Sequence, residues 1–241
     1  MATEPSSSGR TSSTKAAEPK EDNNLRKGGN GRKATRGKIL KAAQKVFSQH
    51  PYNAASIRMI GKAAKVEHPL ISYYFPSKAE LFRATIEELE SNRAELEKTW
   101  FDEIVRLPPA RAFSVFLDKV VDYYRKYPEL FRIVALNLAQ TAENDPIPGF
   151  DLIQKSIEGT SRSFSEKIRI PAPFYEIQMF VWTITTLMVS YLGASSCYAA
   201  IMNLEPESFE YYNWVKETLV FNFLPRLEML VSRNEENKDP R

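Results

Sequence analysis

The chain has 241 residues, 43% hydrophobic and 26% charged, enough for one large or two smaller domains with a substantial core. Its one cysteine, Cys197, excludes an intrachain disulfide and fits a reducing cytoplasm, while two histidines, His50 and His68, leave little material for a zinc site or a His-based catalytic triad. The net charge of +3 conceals an asymmetry: residues 23–66 hold 11 Lys and Arg with no Asp or Glu, which leaves −8 for the remainder and marks the basic stretch as a phosphate-binding module.

No apolar h-region follows Met1, so no secretory signal is expected. Residues 1–32 are rich in Ser, Thr, Gly, Pro, Glu and Lys and bury too little to offset ordering entropy; they are expected to be a disordered tail whose basic end can lie along phosphates. Thr35 to Gln49 reads as an amphipathic helix, with Ile39, Leu40, Ala43, Val46 and Phe47 on one face and Lys38, Lys41 and Lys45 on the other.

The next stretch, SIRMIGKAAKVEHPLISYYFPSK at 56–78, organises the rest. Ile57, Ile60, Ala63 and Ala64 recur at helical spacing, Lys65 to Glu67 interrupt, and Ile71, Tyr74 and Phe75 resume the apolar face. Ser56 is placed to cap the first short helix. The second starts near His68, with Pro69 in its first turn. Ile71 and Phe75 then point inward, Pro69 and Tyr73 outward, and Leu70 and Ser72 flank the outward face. Pro76 ends this helix, and Ser77 caps the next. Two short helices around a tight turn, the second with an imidazole, a proline, a leucine and a phenol outside, suit a reading head for the DNA major groove.

Ser56, Ile60, Ala63, Val66, Tyr74, Phe75 and Lys78, ending in ISYYFPSKAELF, resemble the helix-turn-helix of TetR-family bacterial repressors over roughly residues 33–90. Three positions depart from that pattern: Lys65 where the turn usually has Gly, Gly61 where a small helix former is usual, and Ser72 where many members have Tyr. A non-glycine residue at positive φ is strained, so the turn is expected to differ slightly. The resemblance implies a DNA-binding domain at 33–92, a larger helical ligand-binding and dimerisation domain at 93–232, and a polar tail at 233–241. Pro69, Leu70, Tyr73 and His68 are expected in the groove. Ser56, Tyr74 and Lys78 match positions that commonly hold the DNA backbone, with Lys38, Arg58 and Ser72 beside them.

Beyond Lys78 every segment has helical period, so the fold class is all α. Helices are predicted over Lys78 to about Arg106, whose mixed charges read as a solvated connector, then Arg111 to Tyr127, Glu129 to Gln140 and Phe150 to Ile170. Ile177 to Leu204 has no charged residue in 28 positions, long enough to span a bilayer. Its Thr, Ser, Gln and Asn content and its flanks, Glu176 and Glu205, favour a buried helix covered by its own domain and a second subunit. The last helix is expected from Glu207 to about Leu230, kinked or split at Pro225.

The resemblance implies an isologous homodimer with Tyr191, Gly193, Ala194, Ser195, Leu219 and Phe223 at its interface. It also implies a small-molecule effector, and Phe116, Tyr123, Tyr124, Phe131, Trp182 and Met188 are the candidate lining. Few charges are expected inside, which favours an apolar or aromatic ligand. No metal, cofactor or catalytic residue is expected, and the implied location is cytoplasmic, on the nucleoid. A helical lipid-binding protein or small enzyme is the rival reading; it leaves the charge asymmetry unexplained, and the chain offers no Gly-rich phosphate loop or nucleophile with its base.

Overall fold

A computed structural model describes residues 22–140, 146–168 and 170–236. Among them are ten α-helices and no strand, in agreement with the all-α expectation. They are α1 (Asp22–Phe47), α2 (Ile57–Ala64), α3 (His68–Tyr74), α4 (Lys78–Ile104), α5 (Pro109–Lys126), α6 (Glu129–Asn137), α7 (Phe150–Lys167), α8 (Phe174–Gly193), α9 (Ser195–Ile201) and α10 (Phe209–Glu236); a 3-10 turn, Leu138–Gln140, follows α6. The chain divides after Gly37, and Lys38–Arg241 holds the core.

The first departure from expectation is at the N-terminus, where α1 starts at Asp22 instead of Thr35. No proline lies between Asp22 and Phe47, and extending an existing helix costs far less than nucleating one. The remainder of the expected tail, residues 1–21, lies outside the described residues, as do 237–241 of the C-terminal tail.

Ile39, Ala43, Phe47, Ile60, Ile71, Leu81 and Phe82 close a small core beneath α1 to α3. Phe82 receives Phe47 and Tyr52 edge-on, at centroid distances of 4.7 and 4.9 Å. α4 runs from this core into a second one, built with α5, α6, α7, α8 and α10. Its first turn is closed by a reciprocal cap: Ser77 Oγ accepts from the Glu80 amide at 3.1 Å and donates to the Glu80 carboxylate at 3.4 Å.

Two corrections concern the C-terminal half. The uncharged stretch is not one helix: α8 stops at Gly193 and α9 leaves at 81°. The break follows from a close approach, since a Cβ on Gly193 would lie 2.5 Å from the Phe131 carbonyl oxygen and 2.7 Å from Ala135 Cβ of α6. No single helix among the described residues is long and apolar enough to cross a membrane. Secondly, α10 begins at Phe209 and continues through Pro225 without splitting. The turn before it bends at Asn203 and Glu207, both with positive φ.

Candidate functional site

The α2–turn–α3 unit is set by local chemistry. Ser56 has extended backbone (φ −128°, ψ 151°), and its Oγ accepts from the Met59 amide at 3.3 Å, as a cap should. Lys65 takes the left-handed conformation (φ 52°, ψ 49°) that glycine normally supplies. The Val66 amide reaches back to the Gly61 carbonyl at 3.0 Å, so the turn closes despite the side chain. Gly61 has its own reason: a Cβ there would meet the Val66 carbonyl oxygen at 2.9 Å and Ile71 Cδ1 at 3.4 Å. Replacing Lys65 with glycine is expected to remove left-handed strain of about 1–2 kcal/mol against a glycine entropy cost of about 0.5–1 kcal/mol. The variant should therefore melt slightly higher in a thermal scan; a lower melting temperature would mean that Lys65 is unstrained.

α3 is pinned from beneath by Ile71 and Phe75, both buried. Its outer face carries His68, Pro69, Leu70, Ser72 and Tyr73, all exposed, with Tyr73 at 64% and Leu70 at 39%. Ser72 Oγ lies 3.5 Å from His68 Nδ1, and the rings of Tyr73 and Tyr74 meet edge-on at 5.1 Å, with Tyr74 half-buried. Lys38 and Arg58 are exposed and make no hydrogen bond or ion pair among the described residues. Lys78, which the resemblance gives to the DNA backbone, is turned into the protein. Its Nζ donates to the carbonyls of Tyr52 (2.9 Å) and Ala55 (3.2 Å) and lies 4.4 Å from the Tyr52 ring centroid.

That contact is one end of a link between the two cores. The Tyr52 amide donates to Asn137 Oδ1 at 2.7 Å, and Asn137, fully buried at the end of α6, donates from Nδ2 to the Ile133 carbonyl at 2.7 Å. Beside it, Arg83 of α4 forks onto Asp151 of α7 at 2.6 and 3.0 Å. These hydrogen bonds push the Asp151 carboxyl down to about 2, so the clasp is charged throughout the neutral range. Gly149, at φ 86°, packs close to the Arg83 backbone; a Cβ there would sit 3.2 Å from Arg83 Cα.

Residues of α4 to α8 line a partly open cavity. Phe116, Tyr123, Phe131 and Met188 line it as expected, together with Trp100, Val120, Leu130, Val134, Ile153, Ile157, Thr185 and Val189. Two of the candidates do not line it. Tyr124 is buried on the other side of α5 with its hydroxyl 3.4 Å from Ser195 Oγ, and Trp182 is 36% exposed on the outer face of α8.

One wall is polar, contrary to the expectation of few charges. Arg93 donates from Nε to Glu90 at 2.9 Å, from Nη1 to Glu97 at 2.6 Å and from Nη2 to Ser156 Oγ. Ser156 in turn donates to Glu90 at 2.6 Å, and Thr160 to Glu97 at 2.8 Å. Burial opposes the guanidinium charge, but the two carboxylates more than offset it and raise the Arg93 pKa. Burial also pushes the Tyr123 phenol up to about 12, so it stays protonated. A sequence signal for this wall existed. Glu90, Arg93 and Glu97 interleave at helical spacing with Ile86, Leu89, Trp100 and Phe101, all buried, so the charges fall on the core-facing side of α4.

Of the six residues expected at the dimer interface, three are buried within the protomer, and Tyr191, Gly193 and Ala194 are half-buried. Leu219, Phe223 and Ser195 are buried, and Gly193 abuts α6. Ala194 forms the α8–α9 break, and Tyr191 packs between Tyr198 (5.0 Å) and Trp214 (5.3 Å) while its carbonyl accepts from the Tyr211 hydroxyl at 2.6 Å. Outward on α8 and α10 are instead Tyr175, Met179, Trp182, Phe221 and Met229.

The profile of "Bacterial regulatory proteins, tetR family" matches residues 39–85. An HTH-type transcriptional repressor, NicS, of Pseudomonas putida is 34% identical over 101 residues, which span 42% of this chain and 47% of that relative; the chain thus matches about half of its length. Among solved structures, a tetR-family transcriptional regulator from Streptomyces coelicolor aligns over 85% of both chains at 14% identity with a TM-score of 0.60. A putative TetR-family regulator from Mesorhizobium loti aligns over 80% of this chain and 96% of its own at 15% identity with a TM-score of 0.59. These two show the shared fold, an N-terminal helix-turn-helix followed by a helical domain. The Ser56-capped α2, the left-handed turn at Lys65 and the exposed face of α3 all lie within the segment that is similar to the tetR family of bacterial regulatory proteins.

Proposed function

We propose that the protein is a sequence-specific DNA-binding transcriptional repressor, acting as a homodimer, whose operator affinity is set by a small molecule in the α4–α8 cavity. The observation that carries this reading is the outer face of α3. Tyr73 is 64% exposed and Leu70 39% on a short helix pinned by Ile71 and Phe75, just after a stretch, residues 23–66, that holds basic residues and no acidic ones. Large apolar groups held rigidly in solvent are costly unless a partner covers them. Pro69, Leu70 and Tyr73 offer contacts to thymine methyls, while His68 offers a hydrogen bond to a base edge. Lys38 and Arg58 supply charge for phosphates, which orients the protein without choosing sequence. The outward stripe of Tyr175, Met179 and Trp182 on α8, next to Phe221 and Met229 on α10, supports a second copy packing on these two helices.

The test is binding to genomic DNA fragments, the promoter beside the protein's own gene included, at several salt concentrations. Tyr73→Ala is expected to lower the ratio of specific to non-specific affinity about tenfold, since a good base contact is worth roughly 1–3 kcal/mol. Arg58→Ala should weaken binding to all sequences alike and reduce the slope against log salt by about one. Weak, steeply salt-dependent binding that ignores Tyr73 would sink the reading and leave only a polyanion patch.

A further inference from the structure

Resting on the effector reading, we infer that the α4–α8 cavity takes an organic cation, an ammonium carried on an apolar or aromatic body, with Glu90 as its counter-charge. The polar wall holds two carboxylates, Glu90 and Glu97, against one guanidinium, so it carries an excess of one negative charge facing the cavity. Glu97 is satisfied on both oxygens, Oε2 by Arg93 and Oε1 by Thr160. Glu90 is not: Arg93 and Ser156 both donate to Oε2, and Oε1 accepts no hydrogen bond among the described residues, although the side chain is only 13% exposed. A carboxylate oxygen open to the cavity and without a donor gains a charge-assisted hydrogen bond from a ligand N–H placed beside it.

The other walls agree with this sign of charge. Trp100, Phe116, Tyr123 and Phe131 bring aromatic rings to the cavity, and ring faces attract cations once water is excluded. An anion would meet a guanidinium already neutralised by two carboxylates, so Arg93 does not offer it a net positive site.

The experiment is calorimetric titration of the full chain, free of DNA, with a series of one skeleton and three charges: phenylbutylamine, phenylbutanol and phenylbutyrate at neutral pH. The amine is expected to bind about tenfold more tightly than the alcohol, the size of one charge-assisted hydrogen bond, and the carboxylate most weakly. Glu90→Gln should bring the amine to the level of the alcohol, while unchanged affinity for the alcohol certifies an intact cavity. A carboxylate that binds as well as the amine overturns the inference, as does an amine without advantage or without measurable binding. The same amine is then added to protein–DNA complexes. Binding without DNA release leaves the ligand class standing and removes the effector reading instead.

Discussion

Asn137→Ala is expected to lower stability by about 2–3 kcal/mol and to disturb the helix-turn-helix, although Asn137 belongs to the other core. The loss has a local cause. The Tyr52 amide, bonded at 2.7 Å to Asn137 Oδ1, is left without its acceptor in a partly buried loop, and removing the side chain opens a hole at a fully buried position. The consequence spreads because Tyr52 is held at both its amide and its carbonyl. Its carbonyl takes the Lys78 ammonium, which also grips Ala55, the residue before the Ser56 cap of α2. Leu130, Phe131 and Val134 of α6 line the cavity, and Asn137 ends the same helix. Two hydrogen-bonded steps thus lead from the end of α6 to the loop that enters α2.

A double-mutant cycle of Asn137→Ala with Lys78→Met, read by denaturant unfolding, tests this. The two side chains do not touch, yet holding the two peptides that flank Tyr52 should give a coupling of about 1 kcal/mol. Strict additivity would mean that the loop transmits nothing. Physical continuity alone is not coupling, which is why the cycle and not the contact decides.

How far the sequence could be read depends on the range of the interactions. The α2–turn–α3 unit was legible because each of its determinants is local: the Ser56 cap, Pro69 in the first turn of α3 and the inward pair Ile71 and Phe75 all act within a few residues. Even the departures had local causes, although their sense emerged only in three dimensions. Lys65 accepts the strained backbone, and Gly61 is small because the Val66 carbonyl folds back over it. The cavity was half legible. Its aromatic residues stand out by type, but periodicity could not tell Tyr123, which faces the cavity, from Tyr124, which faces Ser195. The charged wall was missed because the mixed charges of α4 were read together as solvated, although Glu90, Arg93 and Glu97 share the face of Ile86, Leu89, Trp100 and Phe101. For Lys78 the resemblance implied a phosphate contact, and the fold adds what the sequence did not show, two backbone carbonyls that accept from its ammonium.

Gly193→Ala should destabilise the protein by about 2 kcal/mol or more, against the roughly 1 kcal/mol gain that alanine normally brings to a helix. The new methyl would stand 2.5 Å from the Phe131 carbonyl oxygen and 2.9 Å from its carbon, both backbone atoms of α6 that no side-chain rotation can move. α6 and α8 would have to separate, and for a chain of this size the melting temperature should fall by roughly 4–8 °C. A second substitution identifies the obstacle. Ala135→Gly removes the methyl at 2.7 Å but leaves the carbonyl in place, so the double variant should recover little. Recovery to the parent melting temperature would show that the helices meet through side chains alone, and a rise for Gly193→Ala itself would show that they do not meet closely at all. Because Phe131 presents its carbonyl to Gly193 and its ring to the cavity, the separation should also weaken phenylbutylamine binding. The same close approach fixes one wall of the cavity, so affinity for the amine and the alcohol should fall together with stability in this variant, whereas Glu90→Gln should lower affinity for the amine and not for the alcohol.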